Sequence, residues 1–269
     1  MEIYLAIAYG LALVTGLVLG TLGGGGSILI LPILVYLVGI DASVAVVYSL
    51  FMIAGSSLVG SISHFRMGNV RMELLLWFGI PSIVSVLLTR RYLFPIVPEK
   101  ILDLGSFELT RSILILVLFA LLMLLAAFFM LRKKKTPGEV EQKSTKITWG
   151  PLVLQGVFMG FVTGFLGAGG GFLIVPALLF FAAVEVRQAI GTSLSIIALN
   201  TAFGFLGSIG TVSMDWGLIL PFSALMIIGI LLGARLSKGL KQDQLKRYFA
   251  YFILAMALFM LSKELVFSS

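Results

Sequence analysis

The stretch GLVLGTLGGGGSILILP at residues 16–32 returns 144 residues later as GFVTGFLGAGGGFLIVP at residues 160–176. The first copy reads G-x3-G-x2-GGGG-x5-P and the second G-x3-G-x2-GAGG-x5-P. Over residues 16–60 the copies share 17 identities in 45 ungapped positions. Gly16, Gly20, Gly23, Gly25, Gly26, Pro32, Ala45, Ser49, Leu50 and Gly60 are matched by Gly160, Gly164, Gly167, Gly169, Gly170, Pro176, Ala189, Ser193, Leu194 and Gly204. Apolar composition alone predicts scattered Leu and Val matches. It does not predict glycines and a proline in register, so the chain is a tandem duplication.

The residues around these motifs place the duplicated unit in a membrane. The 269 residues are 59% hydrophobic and 12% charged, against roughly 45–50% and 25% in an average soluble domain. A soluble fold could not hide that much apolar surface. A spanning helix needs about 20 mostly apolar residues. Apolar segments run at 3–22, 27–40, 43–64, 72–92, 111–131, 149–166, 171–184, 188–210, 216–236 and 247–266. Those at 27–40 and 171–184 each follow a glycine run and hold only 14 residues, short enough for tilted spans, half-helices or one arm of a re-entrant hairpin. The expected fold is an all-α integral membrane protein of about ten helical segments. Its first repeat is 1–131, a basic linker follows at 132–148, and the second repeat is 149–269. Met1-Glu2-Ile3-Tyr4 lacks the basic start and small-residue cleavage site of a secretory signal, so 3–22 is expected to remain as structure.

Charge sets the orientation. The linker contains RKKKTPGEVEQKSTK at 132–146, with a Pro137-Gly138 break, and is expected to be cytoplasmic. With an odd number of crossings in each half, 14 of the 19 Lys and Arg residues fall inside, leaving Arg90, Arg91, Lys100, Arg111 and Lys263 outside. Even parity would put Arg235, Lys238, Lys241, Lys246 and Arg247 on the wrong side. Two tandem copies with odd crossings lie upside down relative to one another. That is the inverted-repeat plan of secondary transporters, whose substrate site lies near the midplane where glycine-interrupted segments meet. The net charge of +7 therefore belongs to topology and not to nucleic acid.

Four glycines at Gly23, Gly24, Gly25 and Gly26, and in the second copy Gly167, Gly169, Gly170 and Gly171, cannot hold a helix in lipid, since each costs about 1 kcal/mol relative to Ala. Open backbone at membrane depth survives only when it is buried in protein or faces water. The next helix, expected to start at Ser27 or Gly171, would aim its N–H groups and positive dipole end at the opening, which suits an anion. The other reading is tight packing or a turn. No Gly-Lys-Ser or Gly-Lys-Thr follows, so this is no nucleotide loop.

The third segment of each half carries a stripe of small and polar residues: Ser49, Ser56, Gly60 and Ser63, then Ser193, Asn200, Gly204 and Gly207. Such a stripe either lets helices approach closely or lines the path beside the glycine openings, with Tyr48, Thr192, Ser195 and Thr201 as further neutral donors. His64 and Arg66 stand where they meet an anion at the inner mouth, shuttle a proton, or simply sit at the interface. Asp41 and Glu185 occupy matched positions before these helices, as caps or as coupling groups.

Other classes lack their chemistry. There is no cysteine, which removes disulfides and thiolate metal sites. One His and few clustered carboxylates leave little for a metal, and no cofactor is called for. No HExxH, facing Asp pair or Ser with a His on its helix face offers an intramembrane enzyme.

With the two glycine-proline motifs and the Ala-x3-Ser-Leu runs Ala45 to Leu50 and Ala189 to Leu194, the chain resembles the sulfite exporter TauE/SafE family of membrane permeases over nearly its whole length. The resemblance implies transport of sulfite, sulfoacetate or a related small organosulfur anion, usually outward, across a prokaryotic inner or plasma membrane. It falls on the two glycine loops, Pro32, Pro176, Ser49 and Ser193. Tyr48-Ser49-Leu50-Phe51 departs from the more typical Thr192-Ser193-Leu194-Ser195, which tells against an evenly two-fold site. The expected function is a carrier with alternating access; the alternative is a passive anion channel on the same scaffold. The expected partners are the anion, the lipid bilayer and a second copy in a homodimer.

Overall fold

The computed structural model describes residues 2–103, 108–131, 149–166, 174–175, 178, 182, 184–236 and 242–266. Helix α1 covers Glu2–Leu22, α2 Gly26–Val38, α3 Ala42–Arg66 and α4 Met72–Ile96. A small antiparallel strand pair, β1 Lys100–Asp103 and β2 Glu108–Thr110, precedes α5 at Arg111–Leu131. The second half contributes α6 Trp149–Leu166, α7 Val186–Leu206, α8 Trp216–Leu236 and α9 Gln242–Val266. Among the described residues seven helices, α1 and α3 to α8, are long and apolar enough to cross a membrane, and α2 is a shorter apolar one. The chain is an all-α multi-pass membrane protein. The segment read at 171–184 lies mostly outside the described residues, as does the linker.

Prolines explain the irregular turns. In α4 the helix widens to π turns at Leu75–Gly79 and Thr89–Leu93, just ahead of Pro81 and Pro95. Proline has no N–H to donate and its ring collides with the carbonyl four residues back, so a widened turn relieves both faults. The second widening carries the helix past residue 92, where the apolar run was expected to stop. Arg90, which the charge count placed on the outer side, lies within α4 and is only 4% exposed.

Glycines set how closely the helices cross. A Cβ on Gly16 or Gly20 of α1 would collide with the carbonyls of Met226 and Ile230 in α8, while Gly229 and Gly233 of α8 face Leu13 and Leu17 of α1 in the same way. In the second half, Gly156, Gly160 and Gly164 of α6 press on Phe78, Ser82 and Val86 of α4. Close backbone approach through small residues supplies the dispersion contact that lipid cannot replace by a hydrophobic effect. Positions 16 and 160, 20 and 164, 82 and 226, and 86 and 230 each differ by the 144-residue offset. The repeat read in the sequence thus returns as paired helix contacts. α9 packs on α5, and its end meets α2, where the Tyr36 hydroxyl donates to Glu264 Oε1 at 2.9 Å.

Candidate functional site

The interior of the bundle is the α3–α7 pair. A Cβ on Gly60 would meet Leu194 and Ile230, and one on Gly204 would meet Leu50 and Val86. Further along, Ser61 Oγ and Ser195 Oγ are 2.7 Å apart, and His64 packs against Gly191. Residue numbers rise on α3 as they fall on α7, so the two helices run antiparallel. Nine buried polar residues lie on this pair: Ser49, Ser56, Ser57 and His64 on α3, and Thr192, Ser193, Ser195, Asn200 and Thr201 on α7.

The first glycine loop is held by α7 from the other half of the chain. The Gly23 N–H still donates to Leu19 O at 2.9 Å, completing α1. Gly23 then takes φ +73°, and any Cβ there would strike Ile190, so both conformation and space require glycine. The Ser193 hydroxyl lies between Gly23 O and Ile190 O. The Ser27 hydroxyl donates back to Gly24 O at 2.9 Å. Gly23, Gly24, Gly26 and Ser27 are all buried, which is what open backbone inside a bilayer requires. The 3-10 turn that leads into α2 begins at Gly25, two residues ahead of the expected Ser27. The tight turn lets Gly26 lie against Thr15 and Leu19 of α1. Gly167, Gly169, Gly170 and Gly171 lie outside the described residues. Ser49, which matches Ser193, donates to Val46 O at 2.7 Å.

Tyr48 and Thr192 do not join one pocket; they stand at opposite ends of the pair. The Tyr48 hydroxyl donates to Ser213 O and accepts from Asp215 N, both at 3.0 Å. Thr192 Oγ1 accepts from Arg71 N at 2.9 Å. Since 48 and 192, and 71 and 215, are matched positions, each hydroxyl clips the loop that follows the third helix of the other half. Sequence reasoning saw the hydroxyls but not this partner, because a contact across more than 100 residues has no local signal.

Asn200 Nδ2 contacts Ser82 Oγ at 2.6 Å, while Asn200 Oδ1 and Ser57 Oγ are buried without hydrogen-bond partners. Ser56 and Thr201 bond back to their own helices, to Met52 O at 2.8 Å and Ile197 O at 2.6 Å. His64 is buried, with Nδ1 3.4 Å from Asn69 Nδ2 and Nε2 unpartnered, whereas Arg66 is exposed. Asp41 caps α3 through Ser43 N at 2.8 Å and accepts from Ser112 Oγ at 2.7 Å. Glu185 holds the matching place before α7 without a side-chain cap bond. No group of three His, Cys, Asp or Glu among the described residues could hold a metal. Among the described residues the interior thus offers neutral hydroxyls, an amide and a histidine, a set that can solvate a small polar solute.

The family described as sulfite exporter TauE/SafE matches residues 8–260, from the first turns of α1 to the last turns of α9. The chain belongs to that family. Membership makes this TauE/SafE protein a membrane transporter and not an enzyme. It is similar to a probable membrane transporter protein of Xylella fastidiosa, 29% identical over 264 residues, covering 96% of this chain and 95% of the relative. A probable membrane transporter protein of Methanocaldococcus jannaschii is 25% identical over 273 residues, covering 93% and 94%. The Bacillus subtilis protein YdhB, named in the same terms, is 27% identical over 234 residues, covering 86% and 89%. No solved structure matches the chain.

Proposed function

We propose that this TauE/SafE protein is a secondary transporter that exports a small organosulfur anion, such as sulfite or sulfoacetate, by alternating access. The two halves are read as inverted repeats with the 132–148 linker in the cytoplasm. The observation that carries the reading is the grip of α7 on the first glycine loop, through Ser193 and Ile190 on Gly23. A helix of one half holds the broken backbone of the other at the centre of the bundle, so a shift of one half against the other must reshape that loop. The antiparallel α3–α7 pair and the contacts repeated at the 144-residue offset support the inverted arrangement. The buried, unpartnered Ser57 hydroxyl can donate to an oxyanion without a fixed positive charge that would trap it.

Thermal unfolding of the detergent-purified protein tests the reading against sulfite, sulfoacetate, taurine, sulfate, acetate and chloride. A ligand present at about 100 times its Kd stabilises the folded state by about 2.7 kcal/mol. The expected result is selective stabilisation by sulfite or a sulfonate. A shift with a cation or neutral solute, and none with any anion, would mean that the glycine loops serve packing alone.

A further inference from the structure

Outside the α3–α7 interior, the one described place where buried positive charge gathers is the end of the bundle that carries the strand pair. Arg90 of α4 is 4% exposed, and its Nε and Nη2 are buried without a hydrogen-bond partner. Its guanidinium lies over the Phe94 ring, 4.4 Å from the centroid. Arg111, the first residue of α5, lies over the same ring at 5.2 Å, and its Nε is also buried and unpartnered. Arg111 has two weak partners: Val97 O at 3.3 Å from Nη1, and Glu99 Oε1 at 3.8 Å from Nη2, the Glu99 side chain being 89% exposed.

A cation–π contact orients a guanidinium and recovers part of its desolvation, but it satisfies none of its N–H donors. Two like charges against one ring also repel. Leaving such donors dry and unpaired is strongly unfavourable unless something negative completes the set, and an intramembrane arginine is a functional candidate by default. The planar fork of a guanidinium matches the paired oxygens of a sulfonate, sulfite or sulfate.

Position sharpens the assignment. Arg90 stands beside Gly207 at the end of α7, and Phe94 packs edge-on against Phe165, with centroids 5.8 Å apart, at the last turn of α6 before the second glycine run. In the other half the place of Arg90, 144 residues on, is taken by Ala234 beside Gly20. The two halves therefore differ in charge at this matched position.

We propose that Arg90 and Arg111, set by Phe94, form a second binding site for a small oxyanion at the strand-pair end of the bundle. Resting on the transport reading above, this site takes the carried anion at that mouth, which for an exporter is the release side. At the matched position 234 an alanine stands in place of the guanidinium.

Isothermal titration of the detergent-purified full chain with sulfoacetate and with sulfate tests the site, with sulfoacetate flux measured in proteoliposomes alongside. In the parent protein the anion binds, and Arg90→Met loses one equivalent or weakens binding by at least about tenfold. It should unfold at the same temperature or higher without anion, because an unpaired buried charge has gone. Arg90→Lys and Arg111→Gln, which alter the fork more gently, should each weaken binding by several-fold and stand in if the methionine variant fails to insert. Unchanged stoichiometry and affinity in all the variants that fold would overturn the site, even where flux persists. Binding by the parent protein that depends on Arg90, with no flux of any organosulfur anion, would keep the site and remove the transport reading. Loss of sulfoacetate binding on adding phosphatidylglycerol would assign the arginines to a lipid phosphate and overturn the proposal.

Discussion

A methyl group at position 23 has nowhere to go. Gly23 sits at φ +73° with Ile190 against the space a side chain would need. A left-handed conformation costs a non-glycine residue about 1–2 kcal/mol before any steric displacement. Gly23→Ala is expected to lower the unfolding free energy by at least that much in detergent and to abolish transport. Gly55, on α3, has nothing within 4 Å of its Cβ direction. Gly55→Ala should therefore gain about 0.5–1 kcal/mol of helix stability and leave transport intact. Thermal unfolding of the pair with flux assays checks both. Equal effects from the two substitutions would show that the loop conformation is not what matters. The glycines themselves were legible in the sequence because they recur in register. The need for Gly23 in particular was not, since Ile190 lies 167 residues away along the chain.

At the scale of elements, α3 and α7 form an antiparallel seam with the Ser61 and Ser195 hydroxyl oxygens 2.7 Å apart. The natural chain has no cysteine, so Ser61→Cys with Ser195→Cys places the only thiols in the protein across that seam. Oxidation should join them and halt transport if the two halves move against one another, and a reductant should restore it. Full flux through the oxidised protein would place the motion elsewhere. The helices were largely readable in advance, because long apolar runs flanked by charge leave few choices in a bilayer. Two boundaries moved for local reasons. Gly25 and Gly26 open the 3-10 turn at the entry to α2 because Gly26 can lie flat on α1. The π turn at Thr89–Leu93 ahead of Pro95 carries α4 past residue 92. The polar stripe on each third helix was visible by spacing, but its division into loop clips, back-bonded hydroxyls and unpartnered polar atoms depends on contacts between halves. Tyr48 and Thr192 illustrate this: their hydroxyls hold the 213–215 and 71 backbones.

Across the whole molecule the duplication makes one set of contacts do its work twice, with α1 on α8 answered by α6 on α4 and a seam between the third helices. On the inverted reading, a single rearrangement has two equivalent forms, one facing each side of the membrane, which is the geometric condition for alternating access. The departures from symmetry, Arg90 against Ala234 and His64 against Ser208, make matched positions of the two halves chemically different.

The most direct measurement is counterflow in proteoliposomes reconstituted with the intact chain, loaded with unlabelled sulfoacetate or sulfite and supplied outside with a trace of the labelled anion. A carrier that alternates between two faces should draw the label in transiently above equilibrium, saturate with concentration, and require anion on the far side. Uptake that rises linearly without saturation and ignores the trans anion would mean an open channel, and no flux of any organosulfur anion would contradict the account.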